Sequence, residues 1–375
     1  MKFWFSFCTA GWLATLVLLI SSSGTQATER LYFVAADENP WDYAPLGRDH
    51  MMGAPFREDQ NVFVKTTPSA VGKTYLKARF REYTDATFAE LKPIAPEWEH
   101  LGVLGPLIRA EVGDTIKIVF LNNGSRAYSI HPHGVFYEKN AEGAVYNDGT
   151  TGTDKNDDHV KPGATHTYHW RVPERAGPGP ADPSSIAWTY HSHVDAVKDS
   201  NSGLVGAILI TTKGQARPDG SPKDVDREFI TLFNVFDENQ SWLLDASIAK
   251  FADPDKVDLE DENFVESNLM HAINGFVFGN LPGLDMKLGD RVRWYAFALG
   301  TEVDLHTAHW HGNTGLATGR RLDVVGLLPA MAEVVDMQPD IAGTWMYHCH
   351  VNDHITAGMT ALYRVHPSEP QLGDN

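Results

Sequence analysis

The chain is poor in cysteine, in positive charge and in long apolar runs, and each shortage removes a class of protein. Two cysteines occur in 375 residues, Cys8 and Cys349. The opening stretch, MKFWFSFCTAGWLATLVLLISSSGTQA, holds the one sustained apolar run. It has a single Lys before that run and small polar residues after it, which predicts a removable signal peptide over residues 1–27 and an exported protein, periplasmic or secreted. No later run is long and apolar enough to span a bilayer, which excludes a bundle of membrane helices. Once the leader is removed Cys349 is the only thiol, so no intramolecular disulfide forms and a disulfide-stapled scaffold is excluded. A lone cysteine in an oxidising compartment is either a small buried apolar residue or a ligand. Basic residues number 31 against 49 acidic ones, and loss of Lys2 leaves a net charge of −19. Such a surface repels nucleic acid and attracts small cations, and it also serves plain solubility.

What is present is strand. Runs such as TIKIVFL (115–121), GAILITT (206–212) and REFITLF (227–233) are separated by Gly, Pro, Asn and Asp, which predicts an all-β chain with sandwich-like spacing. No long amphipathic helix stands out, although ASIAKFA (246–252) has room for a helical turn or two. The polar, Pro- and Gly-rich segment 213–226 reads as a linker between domains at 28–212 and 227–375. The same order of features occurs on both sides of it. GDTIKIVF, HPHG, KPGATHTYHW and HSH are answered by GDRVRWYAF, HWHG, LPAMAEVVDM and HCH. Shared order of four features points to an internal duplication rather than generic sandwich similarity.

His-x-His occurs four times, at His131/His133, His191/His193, His309/His311 and His348/His350. Composition alone predicts about one such spacing. On a strand, residues i and i+2 share a face, so each pair presents two imidazoles side by side. A single pair is more often a surface or core feature than a ligand; four at duplicated positions point to a multi-metal site. Imidazoles alone suit zinc, copper, iron or nickel. Cys349 narrows the choice. It lies between His348 and His350, so its sulfur faces away from both. His354 follows by five residues and Met359 by ten, and His306 precedes His309 by three. Two His, one Cys and a weak axial Met are the blue-copper electron-transfer set. Met359 on its own would be read as core packing. The first half carries Ser192 in place of the cysteine, Val197 in place of His354 and Tyr128 in place of His306. One mononuclear centre per chain is expected, in the second half.

These residues resemble the multicopper oxidases over nearly all of the mature chain. RAYSIHPHGVFYEKNAEGAVYNDGT, HSHVDAVKDSNSGLVG, ESNLMHAINGFVFGNLPGL, EVDLHTAHWHG and HCHVNDHITAGM resemble the ceruloplasmin and hephaestin branch, and the two-domain plan with one blue site resembles the small two-domain laccases. The resemblance implies two tandem cupredoxin-like domains, each a Greek-key β-sandwich. It implies a type 1 copper at His306, Cys349, His354 and Met359 and a type 2 copper at His131 and His309. It implies a type 3 pair at His133, His191, His193, His311, His348 and His350. Four coppers would couple one-electron oxidation of a donor to reduction of O2 to water. It further implies a homotrimer in which the first domain of one subunit meets the second domain of the next, although closure within one chain stays open at this stage. Asn313 departs from the pattern, since many relatives carry a further His there.

The same resemblance makes Glu266, His271 and Asp353 candidates for a site that binds Fe2+ beside the type 1 copper, with carboxylates and an imidazole suited to such a cation. They read equally as solvated loop acids and a satisfied buried histidine; Glu302 and Asp304 add negative charge near the same ligand loop or are simply strand-face residues. The alternatives are a laccase-like phenol oxidase, a copper nitrite reductase-like enzyme, and a copper-binding or electron-transfer protein without oxygen chemistry; Cu+ is a further candidate donor. Nitrite reductases place their blue site in the first domain, and electron transfer needs one copper, so both fit the eight paired histidines less well. Asp157 and Asp158 are candidate Ca2+ ligands or an acidic turn. Asp195 is a candidate proton relay to reduced oxygen, or a partner of Lys198 or a turn cap.

Overall fold

The computed structural model of the chain describes Met1 and residues 27–367, so nearly all of the expected signal peptide lies outside the described residues. Strands dominate, as expected. In the first half one sheet runs in the order Thr74–Tyr83, Glu29–Asp42, Thr115–Asn122, Thr165–Arg171, and faces a second running Ile108–Glu111, Val205–Thr211, Ser185–His191, His131–Pro132. The second half repeats the plan. Arg227–Asp237 lies parallel to Val292–Ala298 as Glu29–Asp42 does to Thr115–Asn122. Asp285–Lys287 lies parallel to Thr360–His366 as Ile108–Glu111 does to Val205–Thr211. The duplication read from motif order is therefore also a duplication of strand pairing. The 246–252 segment forms the helix Leu244–Phe251, and no helix among the described residues is long and apolar enough to cross a membrane.

Two kinds of strand follow from two kinds of burial. Thr115–Asn122 alternates, with Ile116, Ile118 and Phe120 inside and Lys117 outside, because one face of its sheet meets water. Val205–Thr211 is buried at every position. Ile208 and Ile210 belong to the core of the first half, whereas Val205, Ala207 and Leu209 join a third core that also takes Ile230, Leu232, Phe236, Tyr295 and Phe297 from the second half. The continuous apolar runs are thus strands whose outer face is covered by the other half of the chain. Segment 213–226 is not a free tether: Arg217 donates to the Val225 carbonyl at 3.0 Å, and Thr211 Oγ1 donates to that of Gly220 at 2.9 Å.

The seam between the halves also carries charge. Lys77 and Glu238 are fully buried, and Lys77 Nζ lies 2.6 Å from Glu238 Oε1. Tyr43 donates its hydroxyl to the same oxygen, and the Lys77 ammonium lies 4.7 Å from the Phe236 ring centroid. Arg109 makes a two-pronged contact with Glu228 at 3.2 and 2.8 Å, and Tyr295 donates to Glu228 at 2.9 Å. Desolvation makes such pairs poor sources of net stability, but removing one partner strands the other charge in the interior. Lys77→Met is therefore expected to lower unfolding free energy by about 3–5 kcal/mol, and Lys77→Met/Glu238→Leu to recover most of that loss. Urea midpoints of the three proteins check this.

Candidate metal centres

The second-half site is built on one antiparallel pair. Strand His306–Trp310 pairs with Gly343–Cys349 so that Ala308 faces Cys349 and His309 faces His348. Alternation sends His306, Ala308 and Trp310 into the core and turns His309 the other way. Cys349 follows the core face and His348 the opposite one. Cys349 Sγ lies 3.7 Å from His306 Nδ1 and 3.6 Å from His354 Nδ1, and those two nitrogens are 3.0 Å apart. His354 sits on the short helix Asn352–Thr356 that follows the strand. Met359 is fully buried where the chain returns; its N–H donates to the His354 carbonyl at 2.9 Å and its carbonyl accepts from Cys349 N–H at 3.1 Å.

Asp304, which in sequence could be a strand-face residue, proves central to this group. Asp304 is buried, and its Oδ1 lies 3.1 Å from His306 Nε2. The same carboxylate accepts the N–H groups of Val235 at 2.7 Å and Thr301 at 2.8 Å. A carboxylate on Nε2 holds the ring proton there and leaves the Nδ1 lone pair facing Sγ. The surroundings are tuned accordingly. Burial opposes charge on His306, but the hydrogen bonds to Asp304 and Cys349 raise its pKa. Burial likewise pushes the Cys349 thiol up, and the hydrogen bonds with His306 and His354 outweigh it, bringing the thiol down to about 6.

On the opposite face, His348 Nε2 lies 3.1 Å from His309 Nδ1 and 3.0 Å from His311 Nε2, and the His350 ring centroid is 5.4 Å from those of His309 and His348. The first half repeats the motif: His131 pairs with His191 across two strands, and His133 Nε2 is 3.2 Å from His191 Nε2. The His193 ring centroid lies 5.1 Å from that of His131 and 5.4 Å from that of His191. Burial depresses His131 and His348 to about 4 and His191 to about 3, so these rings are neutral and keep a free lone pair at physiological pH. The glycine closing each HxHG motif is also accounted for. Gly134 and Gly312 have φ of +72° and +70°, and a Cβ on either would lie within 2.1 and 2.4 Å of the Trp188 and Trp345 rings. Among the described residues, no hydrogen bond or ring contact joins the four histidines of the first half to the four of the second.

The first half has filled its equivalent of the cysteine pocket with a hydrogen-bond network. Ser192 Oγ donates to Asp199 Oδ2 at 2.6 Å, and that buried carboxylate also accepts from Val194 N–H, Asp195 N–H and the Trp242 indole. Tyr128 is buried, and Val197 is exposed at 52%. Asp195 caps the helix Ala196–Ser202, its Oδ1 accepting from Lys198 N–H at 3.1 Å. The turn-cap alternative is thus the contact observed. His271 is buried with its ring 5.2 Å from that of His354, while Glu266 and Asp353 are exposed and make no hydrogen bond or ion pair with it. Asp157 is buried with Oδ2 on Gly143 N–H and Oδ1 unpartnered; Asp158 pairs with Lys155 at 3.0 Å. Asn313 donates to Tyr363 Oη at 2.7 Å, and that hydroxyl donates to the His311 carbonyl. Asn313 therefore supports a histidine of the cluster, His311, through its backbone.

Two family models described as multicopper oxidase match residues 101–215 and 250–369, together well over half the chain. The chain belongs to the multicopper oxidase family. It is 45% identical over 360 residues to the human ferroxidase HEPHL1, covering 95% of this chain and 31% of that one. It is 45% identical to human hephaestin, covering 95% and 31%, and 44% identical to human ceruloplasmin, covering 92% and 33%. The chain thus spans about a third of the length of the curated relatives it matches. Among solved structures it resembles a multicopper oxidase at TM-score 0.56 and 16% identity, covering 91% and 93% of the two chains. It also resembles a copper nitrite reductase from Nitrosomonas europaea at TM-score 0.57 and 17% identity, covering 93% and 98%. At those identities the likeness shows the tandem cupredoxin-like fold. The family implies copper, and the donor set fits it: a polarised cysteine between two imidazoles on one face, neutral imidazoles on the other.

In metal-free protein the thiolate absorbance of Cys349 is expected to appear as pH rises through about 6, and to be absent in Cys349→Ser. Because the folded value lies below the ordinary thiol value of 9.0, this group stabilises the fold fully above that ordinary value and loses its contribution as pH falls through about 6. An ultraviolet pH titration reads both.

Proposed function

We propose that the protein oxidises a one-electron donor, with Fe2+ or another metal ion favoured, and reduces O2 to water. The observation that carries this reading is the pairing of His348, Cys349 and His350 on one strand end, with the thiol on one face and imidazoles on the other. His306, Cys349, His354 and Met359 would hold a type 1 copper, His131 and His309 a type 2 copper, and the remaining six paired histidines a type 3 pair. Copper, when bound, supplies the one-electron acceptance at the first site and the four electrons O2 requires at the others. The protein supplies the wiring: His348 Nδ1 donates to the Cys349 carbonyl at 2.7 Å, so donor face and oxygen face share one peptide. Asp304 holds the His306 tautomer, and burial keeps the oxygen-face imidazoles unprotonated.

On the donor side His271 packs against His354. The exposed carboxylates of Glu266, one turn before the His271 strand, and Asp353, next to His354, would attract a metal ion there. The description of the relative HEPHL1 as a ferroxidase supports this choice over phenols. Residues 28–212 and 227–375 act as the two domains on this reading, exported behind the leader. Asp157 Oδ1 and Asp158 would suit a hard cation such as Ca2+ only if Lys155 moved aside. With Fe2+ and 2,6-dimethoxyphenol compared under O2 uptake, Glu266→Ala/Asp353→Ala is expected to slow Fe2+ oxidation about tenfold or more, the order expected for misplaced substrate, and to spare phenol oxidation. An equal fall in both would overturn the metal-ion site, and no O2 uptake by copper-loaded protein would overturn the oxidase.

That no hydrogen bond or ring contact joins the two histidine groups among the described residues supports completion of the cluster between copies. A head-to-tail contact between first and second halves closes as a ring, here a homotrimer. Sedimentation of copper-loaded protein is expected to show a three-chain species; a monomer carrying all four coppers would overturn the ring.

A further inference from the structure

The two halves enclose a cavity of about 300 Å3 beside the first-half histidines. His133, Trp188 and Thr189 line it from one side, and Thr318, Ala330 and Glu333 from the other. Glu333 is half-buried on the strand Ala332–Met337 and makes no hydrogen bond or ion pair among the described residues. Thr189 Oγ1 is buried and also lacks a partner. The half-buried Glu333 carboxylate is thus free to bind cavity water, which is how a polar group without a protein partner is satisfied. The space is ample for several waters, which need such groups to bind.

The cavity is also where the backbone is strained. Thr318 has φ +48° and Ala330 φ +64°, at turn positions where glycine is the ordinary choice. Non-glycine residues held in this region concentrate at functional sites. Acids close to the first-half histidines are otherwise engaged. Glu142 binds Lys139 and Tyr146, Asp195 caps a helix, and Asp199 is saturated by hydrogen bonds.

We propose that this cleft is the proton inlet to the oxygen face, with Glu333 as its proton donor. The inference rests on the oxidase reading. Reduction of one O2 to two waters takes four electrons and four protons. A metal-ion donor releases electrons and no protons, so the protons come from solvent. Glu333 gives its carboxyl proton through cavity water to oxygen reduced on the His133 side. The carboxylate is then reprotonated at the mouth, where Asp182 and Thr318 are exposed. Burial raises the pKa of Glu333, which favours the protonated form a donor needs. The titratable groups facing it across the cavity are His133 and Asp182, and its cross-strand neighbour is Ala296.

The test compares wild type with Glu333→Gln and Glu333→Asp. In copper-loaded protein at saturating Fe2+, Glu333→Gln is expected to lower O2 turnover about 10- to 100-fold near neutral pH, with Glu333→Asp recovering part of it. The rate at which donor bleaches the blue absorption without O2 is expected to match wild type. In metal-free protein, infrared titration is expected to show a carboxyl band that titrates above the ordinary glutamate range in wild type and is missing in Glu333→Gln. Unchanged turnover and pH profile in Glu333→Gln, an equal slowing of bleaching, or the absence of that band would each overturn the inlet. Absence of O2 uptake by wild type would instead overturn the oxidase reading on which it stands.

Discussion

The pairing of His306–Trp310 with Gly343–Cys349 is the constraint on which the rest depends. A one-residue slip would exchange the faces of every side chain on the strand. Cys349 would then leave His306 and join His309 and His311, and both donor sets would be lost together. The register is held by residues that do no chemistry. Trp310 and Tyr347 face each other across the pair with ring centroids 5.1 Å apart, and Tyr347 bonds Thr231 at 2.8 Å. Trp294 closes the same cluster at 4.9 Å from Tyr347. The aromatic core of the second half is therefore part of the metal site in the mechanical sense.

Duplication supplied two copies of this arrangement, and the copies have diverged by substitution at single positions. The first half kept its strand pairing and its HxHG glycine but placed Ser192 against Asp199 where the second half has its thiol. A carboxylate bonded by the Ser192 hydroxyl, two backbone N–H groups and an indole needs no metal to satisfy it. The seam between the copies is both apolar and charged. The buried Lys77–Glu238 and Arg109–Glu228 pairs fix how the halves meet more than how tightly. Their placement matters because the cavity at His133 exists only where strands from both halves converge.

Much of this was legible in the residues. TIKIVFL, GAILITT and REFITLF were legible as strands; the structure shows the first with one wet face and the other two covered on both faces. Strand period alone places Cys349 opposite His348 and His350, whereas the short helix that brings His354 beside the sulfur is a feature of the fold. Asp304 was not legible as a partner of His306. Two residues apart on a strand would put them on one face side by side, whereas the acid instead sits in the turn before the strand and folds under the ring. Glu333 had no local signal at all, since an acid in a largely apolar strand such as AEVVDM reads as an ordinary outward residue.

The sequence by itself determined the all-β duplication, the identity of the paired imidazoles and the face on which each would lie, because these follow from a period of two and from residue type. Only the tertiary structure decided which histidine nitrogen is held by a carboxylate, which imidazoles within each four-histidine group touch, and that an acid without a protein partner shares a cavity with His133. Those depend on contacts between residues distant in the chain, such as Asp304 with Val235 and the Ser185–His191 strand with Ala332–Met337, and no local pattern encodes a contact of that kind.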